Sequence, residues 1–390
     1  MNIHIYPSTF LNESRILKIV RSLRGHQVFD QVLVFALWKE GLSRIEVLGD
    51  GIEVRRVAPV IGSSMQGRLG RIFKAVGWYL GVLWSLRDIK VTCFNCHSLA
   101  VLPLSVAVKI WKRCVLVYEP HELETETVGL LGLRQWLMRL VERAFIGWAD
   151  AVCVVNGSIS GWYVASYRLS QAWVVRNVPH RSDSDPIRTG HLRMAVGIAP
   201  DAQLFLYQGL LAPGRGVGLL INVFSKLPNL HLVLMGYGEM ESQVLAASVE
   251  YKNIHYMPAV PPEQVKNYTV DADVGIALIE KVCLSYYLSL PNKLFEYATC
   301  GVPVVVSNFP EMSHFVDEYD CGWKVDPDEQ ALLNLIQNLT PINLSSKRAN
   351  TRASVQTYCW QEEERELLAM YRSLDFAKTT SGFKQSETRA

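Results

Sequence analysis

The sequence predicts an α/β protein in which two domains each contain a doubly wound parallel sheet. Its 390 residues exceed the usual size of one domain, and 49% of them are apolar while 19% are charged, as in globular proteins. Short apolar runs alternate with amphipathic helical segments, which is typical of parallel sheets covered by helices on both faces. In such sheets ligands bind beyond the carboxyl ends of the strands, so functional residues are expected in the loops there.

Residues 1–180 are predicted to form the first domain, because each apolar run in them is followed by a segment with helical spacing. The predicted strands are residues 2–6, 27–37, 52–57, 91–94, 115–118, 151–155 and 173–176, and the predicted helices are 14–23, 71–86, 97–111 and 134–148. Residues 181–200 contain the polar segment RSDSDPIRTG and are predicted to be a linker.

Residues 201–355 are predicted to form the second domain by the same alternation. Its predicted strands are residues 204–208, 230–235, 254–257, 274–278 and 302–306. Residues 356–374 are predicted to form an amphipathic helix with regularly spaced aromatic and leucine residues. The remaining residues, 375–390, are polar and are predicted to be a flexible tail.

The stretch from residue 285 to residue 311 carries the clearest chemical signal. Pro291 is suited to the first turn of a helix, and the apolar run at 302–306 predicts a buried strand directly after that helix. The helix begins with Asn292 and Lys293, and a helix N-terminus beside a lysine suits a phosphate group. Glu296 lies one turn further and could accept hydrogen bonds from the hydroxyls of a ribose. The alternative is an ordinary amphipathic helix with a solvated lysine and glutamate.

Two further loops follow predicted strands. The segment GLLAPGRG, residues 209–216, follows the first strand of the second domain, and its glycines allow a ligand to approach Gly214 and Arg215 closely. The segment EPHE, residues 119–122, follows a strand of the first domain and includes His121. A solvated loop arginine and a helix-capping histidine are the respective alternatives.

The segment PNKLFEYATCGVPVV, residues 291–305, resembles the donor-sugar motif of the retaining group 1 (GT4) glycosyltransferases, and residues 207–216 resemble the segment that grips the donor diphosphate. Residues 10–20 and 119–126 are more loosely similar. The resemblance implies the GT-B fold, in which two Rossmann-like domains face each other across a cleft and the last helix crosses back to the first domain. It implies catalytic roles for His121, Arg215 and Lys293, and donor-binding roles for Gly214, Arg215, Asn292, Lys293 and Glu296.

One position departs from the family pattern. Members of the family carry two glutamates separated by seven residues, and Glu296 matches the second of them, whereas the first position is occupied by Leu288. The departure concerns how the hydroxyls of the sugar are held. It keeps open a non-catalytic sensor of nucleotide sugars, and a nucleotide-sugar epimerase of the same fold is a second alternative.

The resemblance implies a hexosyltransferase that moves a sugar from a UDP- or GDP-linked donor to a lipid-linked oligosaccharide or polysaccharide acceptor, with retention of configuration. Synthesis of a polysaccharide or lipopolysaccharide would be its setting. No acidic cluster of the kind that holds a metal is evident in the sequence, so neither a metal nor another cofactor is expected. No nucleic-acid-binding motif is recognisable either, and nucleic acid is not an expected partner.

Charge is divided unevenly along the chain. Residues 1–180 contain 21 Lys and Arg against 13 Asp and Glu, and residues 181–390 contain 18 against 24, so the net charges are +8 and −6. The helix near residues 68–87 combines Arg68, Arg71 and Lys74 with tyrosine and tryptophan, which fits contact with anionic lipid. A core-facing helix with basic ends is the alternative. Without a secretion signal or a long apolar span, we expect a cytoplasmic protein, with peripheral contact at the inner face of the membrane as the alternative.

Overall fold

The computed structural model describes residues 1–11, 13–62, 67–181 and 187–376, and of Arg68 only the backbone. The chain divides into two compact units: unit 1 comprises Met1–Val175 and Glu364–Ala390, and unit 2 comprises Arg176–Glu363. The division therefore lies shortly before the predicted linker. Part of that linker is a helix of unit 2, while residues 182–186, like 377–390 of the predicted tail, are outside the described residues.

Unit 1 contains a sheet whose described strands lie in the order β3-β4-β2-β1-β5-β6-β7-β8. Its strands are β1 (Asn2–Ile5), β2 (Val32–Leu37), β3 (Ile45–Gly49), β4 (Ile52–Val57), β5 (Cys93–Cys96), β6 (Val115–Tyr118), β7 (Ala151–Val154) and β8 (Trp173–Val174). All neighbouring strands are parallel except β3, which pairs antiparallel with β4 at the edge. The doubly wound parallel arrangement is thus confirmed for this unit, with one edge strand that the sequence did not predict.

The helices of unit 1 follow the strands as the alternation predicted. They are α1 (Ser14–Gly25), α2 (Gly67–Leu86), α3 (Leu102–Lys112), α4 (Gly132–Phe145) and α5 (Gly157–Tyr167), with short 3-10 helices at Leu99–Val101 and Ile146–Trp148. The helix α2 begins at Gly67, earlier than the predicted start at residue 71. No helix among the described residues is both long and apolar enough to cross a membrane.

The helix α2 has two apolar faces, of which one is buried and the other is exposed. Trp78, Val82 and Leu86 are buried against the unit. The face on the other side is exposed, and we call it the exposed α2 face; it consists of Leu69, Ile72, Phe73, Val76, Leu80 and Trp84. The alternative of a core-facing helix is therefore wrong for the residues of the exposed α2 face, although the opposite side of α2 does pack on the unit.

Unit 2 contains a second parallel sheet, with its described strands in the order β11-β10-β9-β12-β13-β14. These strands are β9 (Leu204–Leu210), β10 (His231–Tyr237), β11 (Ile254–Pro258), β12 (Val274–Ala277), β13 (Val304–Ser307) and β14 (Gly322–Val325). The helices are α6 (His191–Val196), α7 (Val217–Phe224), α8 (Glu241–Glu250), α9 (Pro262–Thr269), α10 (Leu284–Tyr287), α11 (Asn292–Thr299), α12 (Pro310–Tyr319), α13 (Glu329–Gln337), α14 (Pro341–Ser354) and α15 (Trp360–Ser373). The division between the units falls within α15.

Two neighbouring strands of unit 2 come unusually close at their carboxyl ends. Gly236 of β10 pairs with Gly209 of β9, and a Cβ added at Gly236 would lie 1.8 Å from the carbonyl oxygen of Gly209. Gly209 itself has a φ of +114°, which favours glycine. The two glycines therefore shape the edge of the sheet at which the candidate site lies.

Candidate functional site

The helix α11 is fastened to the sheet of unit 2 by Tyr297. Its ring lies against Gly275 of β12, where a Cβ would be 2.3 Å from the ring. Its hydroxyl accepts a hydrogen bond from the amide of Gln208 at 3.0 Å and lies 2.9 Å from the carbonyl oxygen of Leu206, to which it donates. Because Tyr297 is completely buried, these contacts fix α11 against β9 and β12.

The ammonium group of Lys293 is the most unusual charge in unit 2. Its Nζ is buried without a hydrogen-bond partner among the described residues, although the side chain as a whole is half-buried. It lies 3.4 Å from the ring centroid of Tyr207, and a Cβ at Gly209 would be 3.8 Å from its Cε. Burial, reinforced by the charge of Arg215, holds the pKa of Lys293 well below its usual range, whereas Glu296 acts in the opposite direction.

Arg215 lies in the loop between β9 and α7, between two glycines with left-handed backbone conformations. Gly214 and Gly216 both have a φ of +76°. The Arg215 Nε donates to the Tyr286 hydroxyl at 3.1 Å, and its guanidinium lies 4.3 Å from the centroid of that ring. Tyr286 thus holds the guanidinium in place without neutralising it.

Glu296 is held by a buried amide. Its Oε2 accepts a hydrogen bond from Nε2 of Gln208, and Oε1 of Gln208 accepts one from the Thr269 hydroxyl at 2.7 Å. Gln208 is almost completely buried at the end of β9, while the Glu296 side chain is half-buried. The carboxylate is therefore oriented within the site.

The structure brings Gly214, Arg215, Lys293 and Glu296 into one neighbourhood, since the charges of Arg215 and Glu296 both act on Lys293. Asn292 is exposed at the first position of α11. Leu288 follows α10 and is half-buried, and its side chain offers no hydrogen-bonding group where the family pattern has a carboxylate.

The sequence did not single out three residues that shape this site: Tyr207, Gln208 and Tyr286. A signal was available for Gln208, which is a polar residue in an apolar run, directly before the glycine that ends the run. Such a residue at the carboxyl end of a parallel strand is a candidate for the ligand-binding edge.

His121 lies in unit 1, in the loop after β6, as the sequence predicted. Its Nε2 is 3.3 Å from Nδ1 of His97, and its ring centroid is 5.2 Å from that of Tyr6. Burial, together with the charge of Arg15, lowers the pKa of His121 to about 3, so its imidazole is neutral near pH 7. A neutral imidazole is both a donor and an acceptor, and which nitrogen donates depends on its neighbours.

Glu119 is a second functional candidate in unit 1 that the sequence did not assign. Its carboxylate is completely buried, and neither oxygen has a hydrogen-bond partner among the described residues. Burial raises the pKa of Glu119 to about 7, and the Arg15 guanidinium at 3.8 Å opposes this shift. Glu119 also lies near His4 and His97, whose possible metal-ligating atoms lie within 4.8 Å of one another and of its own. The predicted independence from metal stays a prediction.

Comparison with protein families gives a match that covers most of unit 2. Residues 191–356, most of unit 2, match the family described as glycosyl transferases group 1. The match includes Arg215, Lys293 and Glu296, and it confirms the resemblance predicted from the sequence. No curated protein sequence is similar enough to match the chain.

Comparison with solved structures extends the similarity to almost the whole chain. Sucrose-phosphate synthase from Thermosynechococcus elongatus has a TM-score of 0.80 at 15% identity, covering 95% of this chain and 98% of its own. Anabaena HepE in complex with UDP-glucose has a TM-score of 0.72 at 14% identity, covering 96% and 99%. WaaG, a glycosyltransferase involved in lipopolysaccharide biosynthesis, has a TM-score of 0.67 at 14% identity, covering 96% and 100%. These similarities confirm the predicted fold of two Rossmann-like domains.

Proposed function

We propose that this GT-B protein, whose residues 191–356 form a group 1 glycosyltransferase domain, transfers a hexosyl group from a nucleotide diphosphate sugar to a lipid-linked oligosaccharide or polysaccharide. The activity follows from the family of unit 2 and from the charges gathered at the carboxyl end of β9. The type of acceptor and the retention of configuration at the anomeric carbon are also part of the proposal.

The observation that carries the proposal is the buried, unpartnered Nζ of Lys293 beside Arg215. Two cations held close together in a poorly solvated place repel each other. Among the described residues, each of the two lies against an aromatic ring and neither forms an ion pair. A diphosphate would supply the missing negative charge, and the free N–H groups at the start of α11 would add to it. The neighbourhood is thus suited to the diphosphate of a donor.

The carboxylate of Glu296 would hold the ribose of the donor, since a fixed anion accepts hydrogen bonds from two vicinal hydroxyls. UDP-sugars are the first donors to test, because the similar HepE was solved with UDP-glucose. GDP-sugars are the second.

In the reaction, the bond between the anomeric carbon and the diphosphate oxygen breaks, and the acceptor oxygen forms the new bond to the same carbon. Arg215 and Lys293 would stabilise the charge that grows on the leaving diphosphate. With a leucine at position 288, attack on the face from which the diphosphate leaves is the simplest route to retention. The diphosphate would then take the proton of the acceptor hydroxyl, and His121 would contact the transferred sugar.

A lipid-linked acceptor places the protein at a membrane, and the exposed α2 face supports this. At its end, the Arg87 guanidinium lies 4.2 Å from the Trp84 ring centroid. The Lys112 ammonium lies 4.1 Å from the ring centroid of Trp111 and donates to the carbonyl oxygen of Arg87 at 2.8 Å. Tryptophans paired with cations beside an exposed apolar face are typical of contact with anionic lipid.

The test is turnover of UDP- and GDP-sugars by the purified protein, with and without membrane extract. A transferase consumes the donor with a sugar-containing lipid product only when the extract is present, whereas an epimerase converts the donor without it. A sensor binds the donor and turns over nothing. Lys293→Met and Arg215→Met should lower turnover strongly while the exposed Lys252→Met, a matched control in the same unit, leaves it unchanged. Equal turnover in all three variants would contradict the proposal.

A further inference from the structure

We propose that His4 and His97 are positioning residues that hold His121 in one neutral tautomer, with the proton on Nδ1 and the lone pair on Nε2. The inference rests on the proposed function only for what this tautomer is used for. The arrangement itself stands on a chain of hydrogen bonds within unit 1 that no part of the proposed mechanism has yet used.

The chain joins the carboxyl-terminal ends of neighbouring strands to the loop that carries His121. Nδ2 of Asn95 lies 3.3 Å from Nε2 of His4, and Nδ1 of His4 lies 2.8 Å from Nε2 of His97. Nδ1 of His97 then lies 3.3 Å from Nε2 of His121. Asn95, His4 and His97 are completely buried, so water does not compete for these groups.

The direction of the chain follows from the amide of Asn95. Its Nδ2 lies 2.7 Å from Oδ1 of Asn2 and 3.2 Å from the carbonyl oxygen of Ile3, which can only accept, and its Oδ1 accepts from the Tyr371 hydroxyl at 2.6 Å. The amide nitrogen, which carries hydrogens and accepts none, therefore also faces Nε2 of His4 at 3.3 Å. A proton on that Nε2 would point at these amide hydrogens, so Nε2 carries the lone pair. A neutral imidazole that accepts at one nitrogen donates at the other, so His4 donates through Nδ1 to His97.

The same rule gives the donor and acceptor nitrogens of the next ring. His97 accepts at Nε2 and consequently donates from Nδ1 to Nε2 of His121, which leaves the proton of His121 on Nδ1. This step requires neutral rings, and burial supplies the reason: it lowers the pKa of His4 to about 3 and that of His97 well below the usual value. The nearby Arg15 charge disfavours a further cation.

The alternative use of these residues, a metal site formed with Glu119, is less compatible with their surroundings. Nδ1 of His4 and Nε2 of His97 already share a hydrogen bond at 2.8 Å, and the guanidinium of Arg15 lies 3.8 Å from the carboxylate of Glu119. A metal ion would have to break the first contact and to tolerate the second. The hydrogen-bonded chain needs neither change.

The chain of hydrogen bonds leaves His121 with an N–H donor at Nδ1. Its Nδ1 has no hydrogen-bond partner among the described residues, and the side chain is half-buried rather than enclosed. An N–H at this position suits an acceptor oxygen, such as that of a sugar hydroxyl or a phosphate. A ring with the opposite tautomer would present a lone pair, which would repel a phosphate oxygen and which a sugar hydroxyl could meet only by donating its own proton.

The test is nuclear magnetic resonance of the full chain with ¹⁵N-labelled histidine rings, in which the two neutral tautomers have distinct nitrogen shifts and couplings. The resonances of His121 are assigned as those missing from His121→Gln. We expect His121 to have a protonated Nδ1 and an unprotonated Nε2. A protonated Nε2 would overturn the proposal, and so would a stoichiometric metal ion that is lost with His4→Gln.

Two variants of His97 separate positioning from simple packing. Gln at position 97 can accept from His4 and donate to His121, so His97→Gln should keep the tautomer and most of the kcat. Leu fills the volume without the hydrogen bonds, so His97→Leu should let both tautomers of His121 appear and should lower kcat about tenfold or more. Equal tautomer populations in the two folded variants would contradict the proposal. If His97→Leu does not fold, the spectra of the wild type and of His97→Gln still show which nitrogen of His121 is protonated and so test the proposal.

Failure of the proposed function has a different signature. The spectra are recorded without donor or acceptor, and the tautomer of His121 is measurable in a protein that transfers nothing. A protein with the expected tautomer but no turnover would refute the proposed reaction and leave the positioning by His4 and His97 standing.

Discussion

Replacing Glu296 by Gln tests the donor site with the smallest change of shape. In the structure the carboxylate accepts a hydrogen bond from Gln208, which Thr269 in turn orients. A glutamine can still accept that bond through its amide oxygen, and position 296 is half-buried. The melting temperature without ligand should therefore hardly change.

The effect on donor binding should be large by comparison. A hydrogen bond to a charged group contributes about 1.5–3 kcal/mol, against about 0.5–1.5 kcal/mol for a neutral one. Replacing the carboxylate loses about 1.4 kcal/mol for each ribose hydroxyl, so the donor affinity should fall about tenfold for one hydroxyl and about a hundredfold for two. The loss of Glu296 also removes the charge that favours the protonated form of Lys293, which acts in the same direction.

Calorimetric titration of the UDP-sugar that the wild type turns over measures this directly. Glu263→Gln is a matched control, since Glu263 is an exposed glutamate in the first turn of the helix α9 of the same unit. Wild-type affinity and turnover in a folded Glu296→Gln variant would remove Glu296 from the site and refute the reasoning. Because ribose binding is the same in the ground and transition states, turnover at saturating donor should fall less than in Lys293→Met or Arg215→Met.

Three further outcomes are expected. The pKa of Lys293 is depressed in the free protein and should rise beside a diphosphate. Donor binding should therefore take up protons, and the donor affinity should fall as the pH rises between the two pKa values. Calorimetry in buffers of different ionisation enthalpy measures this uptake, and no uptake would mean that Lys293 does not contact the donor. The double variant Arg87→Gln and Lys112→Gln should sediment less with anionic vesicles and as much as the wild type with neutral vesicles. Binding of the wild type to anionic vesicles should weaken as the salt concentration rises. An equal loss of binding to both kinds of vesicle would contradict a role for charge. Gly236→Ala should lower the free energy of unfolding in urea by about 2 kcal/mol or more, because its Cβ would meet the Gly209 carbonyl. Gly161→Ala, which lies in open space on a helix, should not destabilise the protein. Similar urea midpoints for the two variants would contradict the close approach of the two glycines.

Much of the fold could be predicted because its signals are local. Apolar runs and helical spacing placed most strands and helices near their observed positions, as with the predicted strand at 302–306 and β13 (Val304–Ser307). The edge strand β3 was missed because its residues are mostly exposed and it has no buried run to reveal it. An antiparallel edge strand owes its place to the neighbour with which it pairs rather than to its own pattern.

The orientation of α2 shows a different limit. Its sequence contains two apolar faces, and an apolar stripe has the same spacing whether it packs on a core or faces outwards. Trp78, Val82 and Leu86 pack against the unit, and the exposed α2 face is therefore left over. Only the neighbouring elements determine which face a helix buries.

By itself the sequence determined the two parallel-sheet domains and the segment with Lys293 and Glu296, because a helix start after a loop and before a buried strand is encoded in adjacent residues. It could not determine what surrounds them. His4, His97 and Glu119 lie in separate segments as single polar residues in or after apolar runs, and Gln208 lies far from Glu296 along the chain. Parallel strands bring their carboxyl ends to one edge, so only the tertiary structure places these side chains within hydrogen-bonding or electrostatic reach and creates the burial that sets their protonation.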